Sequence, residues 1–392
     1  MLQRPTVKGD LSLTNPAVRA WLYQIIAVVV VLSFAAYLLH NTITNLAQRG
    51  ITSGFAFLDN SAGFGIVQHL IDYQQGDTYA RVFVVGLLNT LLVSAICIVC
   101  ASLLGFMVGL ARLSDNWLLR KLSTFYIETF RNIPPLLQIF FWYFAVLRNL
   151  PGPRQAVSTL DAVFLSNRGL YIPAADFGPG ALPALIAVVI TALATVLIVR
   201  INQRYHLETG VFRRNWPWPL LILALLLGLA HITFGGALSW ELPVLRGFNF
   251  NGGLVMIPEL AALALALSVY TSSFIAEIIR SGIQSVSHGQ HEAALSLGLP
   301  KAITLRKVIL PQAMRVIIPP LTSQYLNIVK NSSLAAAIGY PDMVSLFAGT
   351  VLNQTGQAIE TIAMTMSVYL IISLLISLLM NIYNRKIALI ER

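Results

Sequence analysis

The sequence is poor in charge. Only 11% of its 392 residues are Asp, Glu, Lys or Arg, against about 25% in a soluble domain. A surface with so few charges is not built to face water, and a 56% hydrophobic content sets the membrane class before any motif is read. Cysteine is scarcer still. Cys97 and Cys100 both lie in an apolar run, so no disulfide framework exists. A redox pair needs an exposed thiolate, and this pair reads as small packing residues on one helix face. A phosphate-binding loop is also missing. That loop needs Gly directly before Lys, whereas the six lysines follow Val7, Arg120, Pro300, Arg306, Val329 and Arg385. Any ATP hydrolysis therefore belongs to another chain. Catalytic and metal constellations are lacking too. Asp72, Asp77 and Asp161 are scattered, and in the cluster His288, His291 and Glu292 the i, i+3 histidine pair lacks the further ligand and outer partners that a metal site wants.

What is present is a series of long apolar runs. A bilayer core takes about 20 such residues per helix. Eight runs qualify, near 21–40, 83–110, 124–147, 182–200, 217–236, 255–280, 316–340 and 361–383. The first reads as an uncleaved anchor, because no small-residue cleavage site follows it. The seventh carries Asn327, Lys330, Asn331, Ser332 and Ser333, so it must face protein or a wet path rather than lipid. The expected fold is an all-α polytopic membrane protein with about eight transmembrane helices. Tryptophans 216, 218 and 240 fit interface anchors. The outer loop 41–80 is expected to carry a short helix near Phe64 to Tyr73.

The net charge of +10 in a soluble chain would suggest nucleic acid; here the basic residues sit in short loops between the runs and report orientation instead. With the N-terminus inside, nineteen Lys and Arg fall on the cytoplasmic side, from Arg4, Lys8 and Arg19 to Arg385, Lys386 and Arg392. Six fall outside: Arg49, Arg81, Arg148, Arg154, Arg168 and Arg246. The bias predicts that both termini are cytoplasmic.

Ionisable and polar residues inside spans are pathway candidates. They are Asn89, Glu128, Ser273, Glu277, Gln324, Asn327, Lys330, Asn331 and Ser332. Glu128 with Arg131, and Glu277 with Arg280, are spaced i, i+3 and could instead pair along one helix. Asn89, Ser273, Gln324 and Asn327 could merely bridge helices.

The most informative stretch is the loop 284–311, between the sixth and seventh runs. It splits into a helix from Gly289 to Leu297 and a second from Lys301 to Leu310 that is expected to stop at Pro311. Gly298 suits the left-handed position after a helix end. This loop resembles the EAA signature of ABC-importer permeases, with Glu292, Ala293, Ala294, Gly298, Leu310 and Pro311 in register and Val308 in place of the usual Ile. Three further stretches are similar to polar amino-acid permeases of the histidine/glutamine type: Gly86 to Thr90, Tyr126 to Pro134 and Ala276 to Val286. The length, the first run and the insertion resemble the larger general L-amino-acid permeases of proteobacteria.

The resemblance implies a five-helix permease core in two parts, 83–147 and 255–392. Around it stand a cytoplasmic N-terminus (1–20), an extra helix (21–40) and an insertion with two spans (148–254). It implies that 284–311 is the coupling loop docking on a separate ATPase, with Glu292 offering a carboxylate and Gly298 making the turn. It implies a multi-pass protein of the bacterial inner membrane. The implied partners are a second, related permease subunit, two ATPase subunits carrying ATP and Mg, a periplasmic binding protein and an L-amino acid. The chain itself holds no cofactor and is not an enzyme. An ion-coupled secondary transporter would need matched inverted halves with broken helices, which the sequence does not offer.

Overall fold

The computed structural model describes residues 16–48, 54–210, 217–236 and 238–387. Arg4, Lys8, Arg49, Arg213, Arg214, Arg392 and Trp216, used above, lie outside the described residues. The chain begins with α1 (Pro16–Gln48), α2 (Tyr79–Arg112), α3 (Trp117–Asn132) and α4 (Pro135–Phe140). Four short strands follow, β1 (Val157–Thr159), β2 (Val163–Ser166), β3 (Gly169–Ile172) and β4 (Ala174–Asp176). A helical hairpin, α5 (Ala181–Thr209) and α6 (Pro217–Phe234), leads to β5 (Ser239–Glu241), β6 (Val244–Arg246), β7 (Asn249–Asn251) and β8 (Leu254–Met256). The last part comprises α7 (Pro258–Gln284), α8 (His288–Ser296), α9 (Lys301–Thr304), α10 (Leu310–Asn331), α11 (Leu352–Thr355) and α12 (Ala358–Ile387).

The core forms around α7, which packs on α2, α3, α4 and α10. Two glycines on α2 permit a close approach to α7. A Cβ on Gly105 would stand 2.6 Å from Ile275 Cγ2, and one on Gly109 would stand 2.9 Å from the Ala276 carbonyl. Glycines four apart lie on one helix face, and in a bilayer such small residues let backbones meet where no hydrophobic drive between helices exists. Gly282 on α7 plays the same part against Ile317 of α10.

Six helices among the described residues, α1, α2, α5, α6, α7 and α12, are long and apolar enough to cross a membrane. The third and seventh expected spans are not among them. The third breaks at Ile133 and Pro134, both extended, because a residue before proline is pushed out of the helical region. Gln138 repairs the break by donating to the carbonyls of Phe130 (2.9 Å) and Ile133 (3.0 Å), which bilayer burial demands. α4 then continues as a π-helical turn, Phe141–Val146. The seventh begins earlier than expected and ends at Asn331, where a 3-10 segment, Ser332–Ile338, takes over until Gly339 turns left-handed.

The strands were not foreseen. β1, β2, β3 and β8 form one antiparallel sheet in that order, with Tyr171 opposite Val255; β4 pairs with β5 and β6 with β7. The two connections flanking the α5–α6 hairpin therefore meet each other, as only loops on one side of a membrane can. The helix expected near Phe64 to Tyr73 is absent. Gly63 there has a positive φ of 72°, and Tyr73 folds back to donate to the Phe64 carbonyl at 2.7 Å.

Candidate functional site

The loop after α7 is held in a defined shape by its own backbone. α8 ends with Gly298 at φ +69°. The Leu299 N–H reaches the Ala294 carbonyl at 3.1 Å and the Gly298 N–H reaches Leu295 at 2.9 Å. This pair of bonds is the Schellman closure, which satisfies helix-end carbonyls through a left-handed residue. Ala294 is buried beneath the turn, while Glu292 and Ala293 are exposed. Glu292 meets His288 Nδ1 at 3.0 Å, one turn back, with 68% of its side chain still open. Leu295, Leu297, Ile303 and Leu305 are exposed beside it. The loop thus offers one carboxylate on a segment that also exposes these apolar side chains and the basic Arg306 and Lys307.

The second helix of the loop does not stop at Pro311. α9 passes through a π-helical turn, Leu305–Ile309, directly into α10, with Pro311 in the first turn of α10. Proline lacks an N–H and is tolerated where a first-turn donor has no partner. The result is one helical rod from Lys301 to Asn331. Gln312 Nε2 donates to Gln290 Oε1 at 3.2 Å and so ties the rod back to α8.

The sequence-derived pathway residues are scattered. Asn89 is buried and donates to the carbonyls of Gln68 (2.8 Å) and Pro341 (2.9 Å). Ser273 is buried and bonds its own helix, at the Tyr270 carbonyl. Ser332 is buried and bonds the Val329 carbonyl, and Asn331 is half-buried. Glu128 is exposed, and Arg131 lies over the Phe274 ring at 5.4 Å; among the described residues the two form no ion pair. Glu277 pairs with Arg280, as its spacing allows, and also with Arg112 from α2. Arg112 escapes sequence reading as a partner because it lies 165 positions away.

On α10, Asn327 and Lys330 share one exposed face with Ser323, while Gln324 is half-buried beside them. Spacings of three and four put these residues on one stripe. Ser323 was missed, although its i, i+4 relation to Asn327 signals it. Asp342 was missed as well. It is buried in the connection after α10, accepting from the Ser345 N–H at 2.9 Å and from the Tyr369 hydroxyl at 3.0 Å. Burial pushes its carboxyl up to about 6.

Residues 215–389 match the family described as binding-protein-dependent transport system inner membrane component. YhdX of Escherichia coli (strain K12), named by inference an amino-acid ABC transporter permease protein, is 74% identical over 390 residues, covering all of this chain and 99% of that one. AapQ of Rhizobium johnstonii, a general L-amino acid transport system permease protein, is 49% identical over 382 residues, covering 97% of this chain and 95% of that one. Among solved structures, an amino acid ABC transporter crystallised with histidines superposes at a TM-score of 0.47 and 21% identity, over 79% of this chain and 95% of that one.

Proposed function

Since the chain belongs to the amino-acid ABC transporter permeases of the binding-protein-dependent inner-membrane family, we propose that it is the membrane-spanning half-channel of an ATP-driven importer of L-amino acids, driven through residues 284–311. The observation that carries the coupling role is the exposed Glu292 on a short helix whose Schellman turn leads into the continuous helical run Lys301–Asn331. A push on α8 reaches α10 through helical backbone, with the π-helical turn and the interior prolines Pro319 and Pro320 as the places where the helix can bend. The Gln312–Gln290 bond and the helical continuity carry it along α10 towards the opposite end.

The ATPase that pushes is a separate chain, present twice and holding ATP and Mg, and a basic group on it meets Glu292. Ala293, Leu295 and Leu297 supply an apolar contact around that charge. Both termini and the loop 284–311 are cytoplasmic, in keeping with the distribution of Lys and Arg. A second, related permease subunit completes the channel against the exposed stripe Ser323, Asn327 and Lys330. The amino acid, delivered by a periplasmic binding protein, passes along that stripe, where polar groups in a bilayer are costly without such use.

The test is uptake of labelled L-amino acids into vesicles holding the purified complex, with the binding protein outside and ATP inside. Uptake that requires ATP is the expected result. Uptake that runs on an ion gradient alone, with no ATP, overturns the importer reading.

A further inference from the structure

At the end of the molecule opposite the coupling loop, the strands of the insertion fold over the start of α7 and the end of the third helical run. Between them lies a cleft of about 860 Å³, within the range that encloses a small organic ligand. Its charged lining comprises Arg148, Arg168 and Glu259. Among the described residues none of the three has an ion-pair partner. Arg148 and Glu259 are kept apart by one hydroxyl. Tyr143 donates to Glu259 Oε1 at 2.7 Å and accepts from Arg148 Nη1 at 3.3 Å. Each charge thus keeps further donors or acceptors free, with opposite signs held a few ångströms apart in one concavity.

That arrangement is the complement of an α-amino acid. Its carboxylate suits a guanidinium, which binds carboxylates through a planar fork. Its ammonium, one carbon away, suits the carboxylate across the Tyr143 hydroxyl. Arg168 leaves the lining with an excess of positive charge, which favours an acidic or neutral side chain over a basic one. Asn167, whose carboxamide oxygen has no partner among the described residues, stands in the same wall. Snorkelling at a membrane edge accounts for the arginines alone, and the first turn of α7 favours a carboxylate at Glu259; neither accounts for the Tyr143 hydroxyl that joins Glu259 to Arg148 within one cleft.

We propose that the insertion builds an accessory site for a free amino acid, selective for acidic and neutral ones, on the outer face of the permease. This rests on the amino-acid importer reading, and it assigns to the 148–254 insertion a ligand-binding role beyond the transport path.

Leu254 lines the cleft and is 55% exposed. A Leu254→Cys variant, in the complete complex in lipid nanodiscs without ATP or binding protein, is labelled with a membrane-impermeant maleimide while L-glutamate, L-lysine or glutarate is titrated. L-Glutamate is expected to slow labelling, with an affinity about tenfold above those of L-lysine and of glutarate, which lacks the amine. Arg148→Gln is expected to weaken protection about tenfold and Arg148→Lys to restore part of it. Glu259→Gln is expected to abolish the preference for glutamate over glutarate. No protection by L-glutamate, or protection unchanged by both Arg148→Gln and Glu259→Gln, overturns the site. Uptake is measured on the same purified variants rebuilt into sealed vesicles, with the binding protein outside and ATP inside. ATP-driven uptake without protection removes the cleft and leaves the importer, whereas protection without any amino-acid uptake removes the importer and leaves the cleft.

Discussion

The side-chain amide of Asn89 donates to the Pro341 carbonyl across 2.9 Å, fastening α2 to the connection between α10 and α12. Its second amide hydrogen goes to the Gln68 carbonyl at 2.8 Å. Both donors are thereby used inside a fully buried side chain, which makes Asn89 a clasp rather than a ligand to passing substrate. Asn89→Asp keeps the shape and removes both donors. Each buried carbonyl left unpaired costs about 1–3 kcal/mol, so the variant is expected to unfold at clearly lower temperature in detergent. An unchanged unfolding midpoint refutes the clasp.

Close contact between α2 and α7 makes a second prediction. A Cβ on Gly105 meets two side-chain carbons of Ile275 at 2.6 and 2.7 Å and the Ser272 carbonyl at 3.0 Å. Backbone cannot yield as a flexible side chain does, and overpacking costs about 1–3 kcal/mol. Gly105→Ala should lower both the yield of folded protein and its thermal midpoint. Gly228→Ala is the control, since nothing lies within 4 Å of a Cβ there. Equal behaviour of the two variants argues against tight α2–α7 packing.

Reversing the one carboxylate in the exposed patch tests coupling. The Glu292 side chain is 68% open and, among the described residues, bonds a surface histidine, so its loss removes little stability. Glu292→Arg is expected to leave the protein in the membrane at normal level while ATP hydrolysis no longer responds to substrate and uptake falls by tenfold or more, on the order of 1.4 kcal/mol of lost coupling. Normal uptake by this variant sinks the role assigned to the loop.

Much of this arrangement could be read from residue order, and its gaps have physical causes. Long apolar runs reveal bilayer helices because length and lack of charge are local properties, and α5 and α6 fell where their runs lie. Gly298 and the residues around it identified the loop, since left-handed closure needs no distant partner. The Pro311 stop was misplaced because a preceding π-helical turn can carry a helix into a proline, and nothing local announces that turn. Strand pairing across the α5–α6 hairpin joins Tyr171 to Val255, and such short, separated strands carry no clear period. The Arg112–Glu277 pair and the charges around Tyr143 escaped for the same reason: their partners are far apart in sequence.

The turn at Gly298 is conformational rather than steric in its demand. Nothing lies within 4 Å of a Cβ there, yet φ is +69°. An alanine in that region costs about 1 kcal/mol and a β-branched residue more. Gly298→Val should therefore leave the membrane core intact and shift the direction of α8, lowering ATP-coupled uptake more than Gly298→Ala does. Equal activity of the glycine, alanine and valine proteins contradicts a strict left-handed turn.

Asp342 gives the protein a pH dependence whose sign can be worked out. Its carboxyl is pushed from 3.8 up to about 6, chiefly by burial. A folded-state value above the unfolded one means that the folded protein holds the proton more tightly. The resulting stabilisation is complete below 3.8, shrinks as pH rises towards 6, and is gone above it. Asp342→Asn keeps an acceptor for the Ser345 N–H and carries no charge. The measurement is the unfolding midpoint of both proteins from about pH 4 to about pH 7. The native protein should lose stability relative to Asp342→Asn as pH rises through that range, and the difference should level off above about 6. Parallel curves would mean that Asp342 stays ionised throughout, its charge held by the Ser345 N–H and the Tyr369 hydroxyl against the cost of burial.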